Sequence, residues 1–522
     1  MNIRECLWLA TLCGALGGGL LSAATPEPGF RSLFNGNDLS GWDGDPQFWS
    51  VREGAITGQS TPEKPLKENT FIIWGDGMVD DFELHLSYRI VGNSPENFGN
   101  SGIQYRSRRM PASKGGHWVA GGYQADIECG PNYSGILYEE RGRGILATRG
   151  QKVTIDPAGK PQVTGSVGKS EEIQAAIKAG DWNDYVVIAQ GWHVIHKING
   201  HVTVDVTDEQ ASKRVRSGLL AFQMHVGKPM TVQFKDIFLK RLPVENAKKI
   251  VLIPGSPSHG PGDHEHNAGM ALWKHSLDQI PGVVALAYLN AGGWPKDPSA
   301  FDNADAAVFF TDGGDGHPLL RGDRLKTLGD FAAKGKGVAM VHYTVEVPKT
   351  RGGALFTDWI GGFYETGYSI NPFWKANFQT LPEHPITRGV QPFAIEDEWY
   401  YNIRFAPDKP RVTPLLTATP PDDTRGTAAA KEHPGRIETV SWCVERPDGG
   451  RGFGYTGGHV HKNWANDNVR KFLLNAIVWT AKGEIPPQGL ETTLAPEDIQ
   501  WNLDEKEGAK TKPAPWLPTV QP

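Results

Sequence analysis

Between Asn100 and Arg143 the chain reads NSGIQYRSRRMPASKGGHWVAGGYQADIECGPNYSGILYEERGR, and acids, amides and guanidinium groups recur there two residues apart. Gln104 and Arg106, then Gln124, Asp126 and Glu128, then Glu139 and Arg141 occupy alternate positions. Alternate side chains of an extended strand share a face. Ile103, Tyr105, Tyr123, Ala125, Ile127 and Leu137 are left to supply an apolar core face. Carboxylates gathered with amides and guanidinium groups can hold an oxygen-rich ligand such as a sugar. They can also supply an acid, a base and a cation for a developing oxyanion. The same pattern describes a sheet face turned to water, so spacing alone leaves both readings open.

A second set of chemistry-bearing residues lies far downstream. His259, His264 and His266 fall within SHGPGDHEH, His342 ends an apolar run, and His459 follows GFGYTGG. Glu396, Asp397 and Glu398 lie in IEDEWYY. His259, His342, Glu398 and His459 are the candidate ligands of a divalent metal, with calcium, zinc or manganese considered. No HExxH occurs. The glycines match neither the dinucleotide fingerprint nor the P-loop, so no nucleotide cofactor is expected. A G-x-S-x-G elbow is also missing.

These residues need elements to position them. The sequence has 522 residues, 21% charged and 39% hydrophobic, with a formal net charge of -6. That length predicts two domains, and the charge balance gives no footprint for nucleic acid. From Phe48 to Leu239 short alternating runs follow one another, with Phe82, Leu84, Leu86 and Tyr88 on one face and a tight turn at Asn199-Gly200. Only Ser170 to Ala179 reads as helix there, which predicts a two-sheet sandwich. Beyond Lys249 apolar strands alternate with helical stretches at Asn267 to Ile280, Leu319 to Ala333 and Asn468 to Ala481. That alternation predicts a parallel sheet covered on both sides, with ligands beyond its carboxyl ends.

Residues 1–24 read as an export signal: Arg4, an apolar run from Leu7 to Leu21, then small residues before Thr25. The expected location is periplasmic or secreted, without a stable membrane anchor. Cys129 and Cys443 remain after the signal and read as isolated thiols. The predicted organisation is a sandwich over 25–243, a linker at 244–248, an α/β domain over 249–485 and an irregular tail over 486–522. A site between domains, or a homo-oligomer, is compatible with it.

LFNGNDLSGW at 33–42, NSGIQYR at 100–106, GGYQADIE at 121–128, Trp182-Asn183 and INGHVTVDVTD resemble the 3-keto-disaccharide hydrolase domain. The resemblance implies an all-β, concanavalin/laminarinase-like jelly-roll sandwich. Where that family reads G-x-E-x-Q, this chain has Gln124 and Asp126, a carboxylate and an amide exchanged. GKGVAMVHY at 335–343, HPIT at 384–387, DEWYY at 397–401, GRGFGYTGGH ending at His459 and NVRKFLLNAIVW resemble a ThuA-like (trehalose utilisation) domain. This implies a flavodoxin-like α/β fold related to class I glutamine amidotransferases. His342 stands where those relatives carry a nucleophilic Cys, so glutamine hydrolysis is rejected.

The resemblance implies an exported enzyme that cleaves 3-keto-glycosides or 3-keto-disaccharides, by hydrolysis or by C2-proton abstraction and elimination. Asp126 or Glu128 would be the base, Glu139 the acid, and Arg106 or Arg141 the oxyanion donor, with His117 a reserve acid. Gln104, Gln124, His117, Trp118 and Tyr138 would bind substrate. A conventional glycosidase would need two carboxyl groups about 5.5 Å or about 6.5–9.5 Å apart. A carbohydrate-binding protein without catalysis is the second reading and the conventional glycosidase the third.

Overall fold

The computed structural model describes residues 27–110, 117–405, 412–506 and 512. The export signal read over residues 1–24 lies outside them. The first domain consists of two sheets. The larger, of ten strands, is centred on Phe82–Gly92, which pairs antiparallel with Asn183–Gln190 on one side and Met230–Arg241 on the other. The smaller runs in the order Gly144–Ala147, Leu137–Glu140, Ala120–Glu128, Asn100–Arg109, Leu219–Met224, Thr70–Trp74, Trp42–Asp43. Their inner faces share one core: Leu84, Leu86, Tyr88 and Val187 meet Ile103, Tyr105, Tyr123, Ala125, Ile127 and Leu137. This is the apolar face that the period of two predicts. Asn199 and Gly200 both take positive φ, as a two-residue hairpin turn requires.

The second domain is a seven-stranded sheet in the order Val283–Ala287, Lys248–Pro254, Ala306–Phe310, Gly337–Val341, Arg451–Tyr455, Glu438–Glu445, Val412–Ala418. The first five strands are parallel and the last two antiparallel. Its long helices are His266–Leu277 and Asp467–Thr480. The helix predicted over Leu319 to Ala333 is shorter, Arg324–Ala332, after a 3-10 turn at Pro318–Leu320; the one predicted from Ser170 stops at Ala175. Two elements have too short a period to be read from sequence: helix Ala354–Ile360 and the hairpin Phe373–Phe378 with Phe393–Glu398. Cys129 and Cys443 are free thiols. No helix among the described residues is long and apolar enough to cross a membrane.

The two domains share a core and a buried charge network. Phe71, Ile73, Leu219 and Ala221, on the outer face of the smaller sheet, and Met78 and Val119 beside it belong to one apolar cluster with Val251, Ile253, Tyr288 and Ala300. Beside it Asp80 Oδ1 accepts from Arg241 Nη1 at 2.6 Å, and Asp80 Oδ2 lies 2.9 Å from Lys249 Nζ. Arg241 also donates to Asp297 Oδ2 and Met78 O, both at 2.7 Å. All four charged side chains are fully buried. Burial pushes the Asp80 carboxyl up, but Lys249 and Arg241 outweigh it and hold it at about 2.

Removing one member of such a network leaves a buried charge without its partner. Arg241→Met is therefore expected to cost about 3–5 kcal/mol in urea unfolding. A loss below about 1 kcal/mol would show that the network does not hold the domains together.

Candidate functional site

On the smaller sheet of the first domain, register decides which polar side chains meet. Gln104 pairs with Gln124 and Gln124 with Tyr138, so the three form a row across three strands. Gln104 Nε2 donates to Gln124 Oε1 at 2.5 Å, and Ser107 Oγ donates to Gln104 Oε1 at 2.7 Å. Asp126 lies in the next row opposite Gly102. A Cβ at Gly102 would come within 2.5 Å of the Gln124 side chain, so glycine there makes room for the amide. Asp126 is 5% exposed, and burial pushes its carboxyl well above the usual range; the Ile127 N–H and Gln124 oppose the rise, and the charges of Glu128 and Glu140 add to it. Burial, then Glu140 and Asp126, likewise push the Tyr138 phenol up.

Glu140 is the carboxylate that sequence reasoning passed over. Strict alternation along Leu137–Glu140 puts Glu139 on the side of Leu137 and Glu140 on the side of Tyr138. Glu140 accepts from Asn69 Nδ2 and Gln223 Nε2, each at 3.2 Å. Glu139 is instead held by Arg143, whose Nε and backbone N–H both lie 2.7 Å from its Oε2. It is not the acid partner.

The other expected site residues lie as follows. Arg106 leaves the polar face because the register shifts between Tyr105 and Arg108, and its φ of 47° turns the backbone over. Its buried guanidinium donates to Asp80 O and Gly191 O at 2.7 Å and to Asp81 Oδ1 at 2.8 Å, tying the smaller sheet to the larger. Arg106 is no oxyanion donor. Glu128 folds its carboxylate back onto the N–H groups of Asn132 and Tyr133, closing the loop that follows its strand. Arg141 pairs with Glu68 at the margin of the face. Trp118 donates to Asp43 Oδ1 at 2.6 Å, and Arg109 binds the other oxygen of Asp43. His117 is exposed, and its backbone carbonyl accepts from Arg109.

In the second domain the carboxyl ends of the parallel strands converge on imidazoles. His342 directly follows Gly337–Val341, and His459 follows Arg451–Tyr455 after three intervening residues. Glu398 ends the strand Phe393–Glu398, and His264 lies in the loop after Lys248–Pro254. One ligand atom from each of His264, His342, Glu398 and His459 lies within 4.8 Å of all the others. His264 thus takes the place expected for His259 in this group; His259, exposed and stacked on the His264 ring at 3.6 Å between centroids, falls in a second candidate group with His264 and Asp312. His264 Nε2 lies 3.0 Å from both His342 Nε2 and His459 Nδ1. Glu398 Oε2 is 3.1 Å from His459 Nδ1 and 3.5 Å from His342 Nε2.

Proton accounting tests whether a cation fits. His342 Nδ1 is 2.7 Å from Thr456 O, a carbonyl that only accepts, so a neutral ring carries its proton there and Nε2 is bare. His264 Nδ1 faces Asp312 Oδ1 at 2.8 Å and is likewise the protonated nitrogen. The two Nε2 lone pairs therefore face each other at 3.0 Å with no proton between them. Charging either ring is opposed chiefly by burial, which pulls His264 down to about 4 and His342 well below the usual histidine range. A cation removes the conflict. Tetrahedral bonds of about 2.0–2.1 Å imply ligand–ligand separations of about 3.3 Å, close to those seen. Asp312 and Thr456 are the outer partners that fix the ring tautomers. Three nitrogens and one carboxylate suit zinc or manganese and do not suit calcium, which prefers an all-oxygen shell. The close ring packing also needs Gly458, at φ 113°, where a Cβ would come within 2.8 Å of Trp464.

Comparison with known proteins now separates the two halves. Residues 29–240 match the 3-keto-alpha-glucoside-1,2-lyase-like domain, and residues 296–480 match the Trehalose utilisation (ThuA) family. These matches define a carbohydrate-active enzyme. It is an N-terminal 3-keto-disaccharide hydrolase-like domain fused to a C-terminal ThuA-like domain. His342, Glu398 and His459 lie inside the second match and His264 outside it. A Parabacteroides distasonis protein described as a glycosyl hydrolase is similar at 20% identity, covering 41% of this chain and 94% of its own, with a TM-score of 0.26. A thua-like protein from Bacteroides uniformis is similar at 15% identity, covering 47% and 97%, with a TM-score of 0.35. A carbohydrate-binding module from Bacillus subtilis is similar at 12% identity, covering 38% and 95%, with a TM-score of 0.25. No curated protein matches the chain.

A chelator such as EDTA is expected to lower the melting temperature of the whole protein, and zinc to restore it. Zinc at 100 times its dissociation constant should contribute about 2.7 kcal/mol. Because the ligands bind metal as neutral rings, affinity should fall first as pH drops through the ordinary histidine range, where His459, lowered by burial but raised more by Glu398, takes up a proton, and again toward 4, where His264 does. His342→Ala should abolish the zinc response. No bound metal by elemental analysis, together with no response to zinc, would exclude the centre.

Proposed function

We propose that the polar face of the smaller sheet cleaves 3-keto-glycosides, with Asp126 and Glu140 as the proton-transfer pair. The observation that carries this reading is the buried Asp126 carboxyl, pushed up on the same face as Glu140, Tyr138 and the two glutamines. A ketone at C3 acidifies the hydrogen at C2. Glu140 takes that proton, while Asp126, kept protonated by burial, gives its proton to the departing oxygen on C1. The C–O bond breaks as the C1–C2 double bond forms, leaving a 2-hydroxy-glycal; addition of water to it gives the free keto-sugar. The Tyr138 hydroxyl and the Gln124 amide are the donors for the enediolate oxygen, a role that Arg106 cannot fill.

The second domain would hold its metal through His264, His342, Glu398 and His459. When bound, such a metal supplies Lewis-acid polarisation of a sugar carbonyl or hydroxyl. Phe373 stands 50% exposed directly across the hairpin from Glu398 and edge-on to His459, a platform of the kind sugar rings stack on. The facing sheets favour a concanavalin-like jelly roll for the first domain. Five parallel strands with a ligand site at their carboxyl ends favour a flavodoxin-like, amidotransferase-related second domain. Arg4 and the apolar run after it favour export to the periplasm or beyond.

Product analysis on 3-keto-disaccharides and their unoxidised parents tests the reading. Cleavage should be restricted to the keto substrates, and Asp126→Asn or Glu140→Gln should each lose about 10²–10⁴-fold in kcat. Cleavage of the parent sugars would mean a conventional glycosidase, and binding without turnover a carbohydrate-binding protein. Asp126 has a raised folded pKa, so its contribution to stability is lost as pH rises through that value. Asp126→Asn should therefore lose less stability than wild type as pH rises above the ordinary carboxylate range, while losing turnover.

A further inference from the structure

We propose that the C-terminal segment from Asp498 to Lys506, beyond both family matches, is a working part of the second-domain metal centre: Lys506 clamps the loop that carries His264. The proposal rests on reading His264, His342, Glu398 and His459 as a metal site. His264 has a φ of 46°, in the left-handed region that few non-glycine residues adopt and that persists where surrounding contacts hold it. On one side its N–H donates to His459 O at 2.9 Å, and His461 N donates to Gly262 O at 2.9 Å. On the other side stands the tail.

Lys506 Nζ donates to Asp263 O at 2.5 Å and to Gly260 O at 3.4 Å, and lies 3.3 Å from Glu265 Oε1. The carbonyl of Asp263, the residue just before His264, is thus fixed by the tail. Glu265, just after it, is 1% exposed and ties the same parts together: Oε1 accepts from Gly262 N at 2.9 Å and Oε2 from Asp504 N at 2.6 Å. Asn267 Nδ2 donates to Asp504 Oδ1 at 2.8 Å, and the His461 ring lies 3.0 Å from Ile499 O. The loop is held between strand end and tail on both flanks of the ligand. Lys506 and Glu265 are a buried pair, so loss of the cation leaves a buried carboxylate that pulls the loop toward water. Lys506 is a positioning residue; it touches no ligand atom.

The test is zinc(II) affinity of the full chain by calorimetry, with the visible spectrum of the cobalt(II) form as a readout of coordination geometry. Lys506→Met should weaken zinc binding by about 10–100-fold, the usual cost of losing an outer support of a metal ligand, and should shift the cobalt bands. Lys506→Gln keeps one donor for the loop carbonyls and serves if the methionine variant does not fold; it should show the same band shift. Unchanged affinity and an unchanged spectrum in the folded variant, with the wild type binding zinc, would overturn the clamp and leave the metal centre standing. A wild type that binds neither ion would overturn both.

Discussion

Asp80 is the charge on which the two halves depend. It receives Arg241 from the last long strand of the first domain and Lys249 from the first strand of the second, all fully buried. A carboxylate in such a place is tolerable only when paired and hydrogen-bonded, and each cation is tolerable only because of it. The chain therefore passes from one fold to the other between two buried cations that share Asp80. The apolar outer face of the smaller sheet is covered by the second domain, while the rows of Gln104, Gln124, Tyr138, Asp126 and Glu140 form its polar part. Burial by a neighbouring domain thus completes a face that a lone sandwich would turn to water.

The two candidate sites use burial in opposite ways. At Asp126 it favours the neutral acid and keeps a proton in place for transfer. At His264 and His342 it favours neutral imidazole and leaves lone pairs that only a cation satisfies. The same desolvation favours the neutral form at both sites, a protonated carboxyl at one and bare imidazole nitrogens at the other. The difference lies in the residue type and in which atom of each ring its outer partner claims.

Backbone strain marks the second site more sharply than composition does. His264 and His342 both take positive φ, and both belong to the candidate metal cluster; His259, also at positive φ, stacks on one of them. Such conformations persist where surrounding contacts over-determine them. Here the contacts come from Asp312, from the Thr456 carbonyl, and from a tail segment remote in sequence.

Local periodicity was enough to read the core faces, the alternation of strand and helix in the second half, and the amide–acid row from Gln104 to Asp126, because each depends only on neighbours along one strand. His342 and His459 were also legible, since parallel strands deliver their carboxyl ends to one side; Glu398 reaches them from a separate antiparallel hairpin. What depended on register or on distant chain was not. A bulge after Tyr105 removed Arg106 from the row, and one position of alternation exchanged Glu139 for Glu140. The choice of His264 over His259 was made by Asp312, His459 and Lys506, which come together only when the sheet, its loops and the tail close on one another. Sequence by itself determined which side chains were there to do chemistry; tertiary structure decided which of them meet, because hydrogen bonds and ion pairs act over about 3 Å and chain order says nothing of such distances.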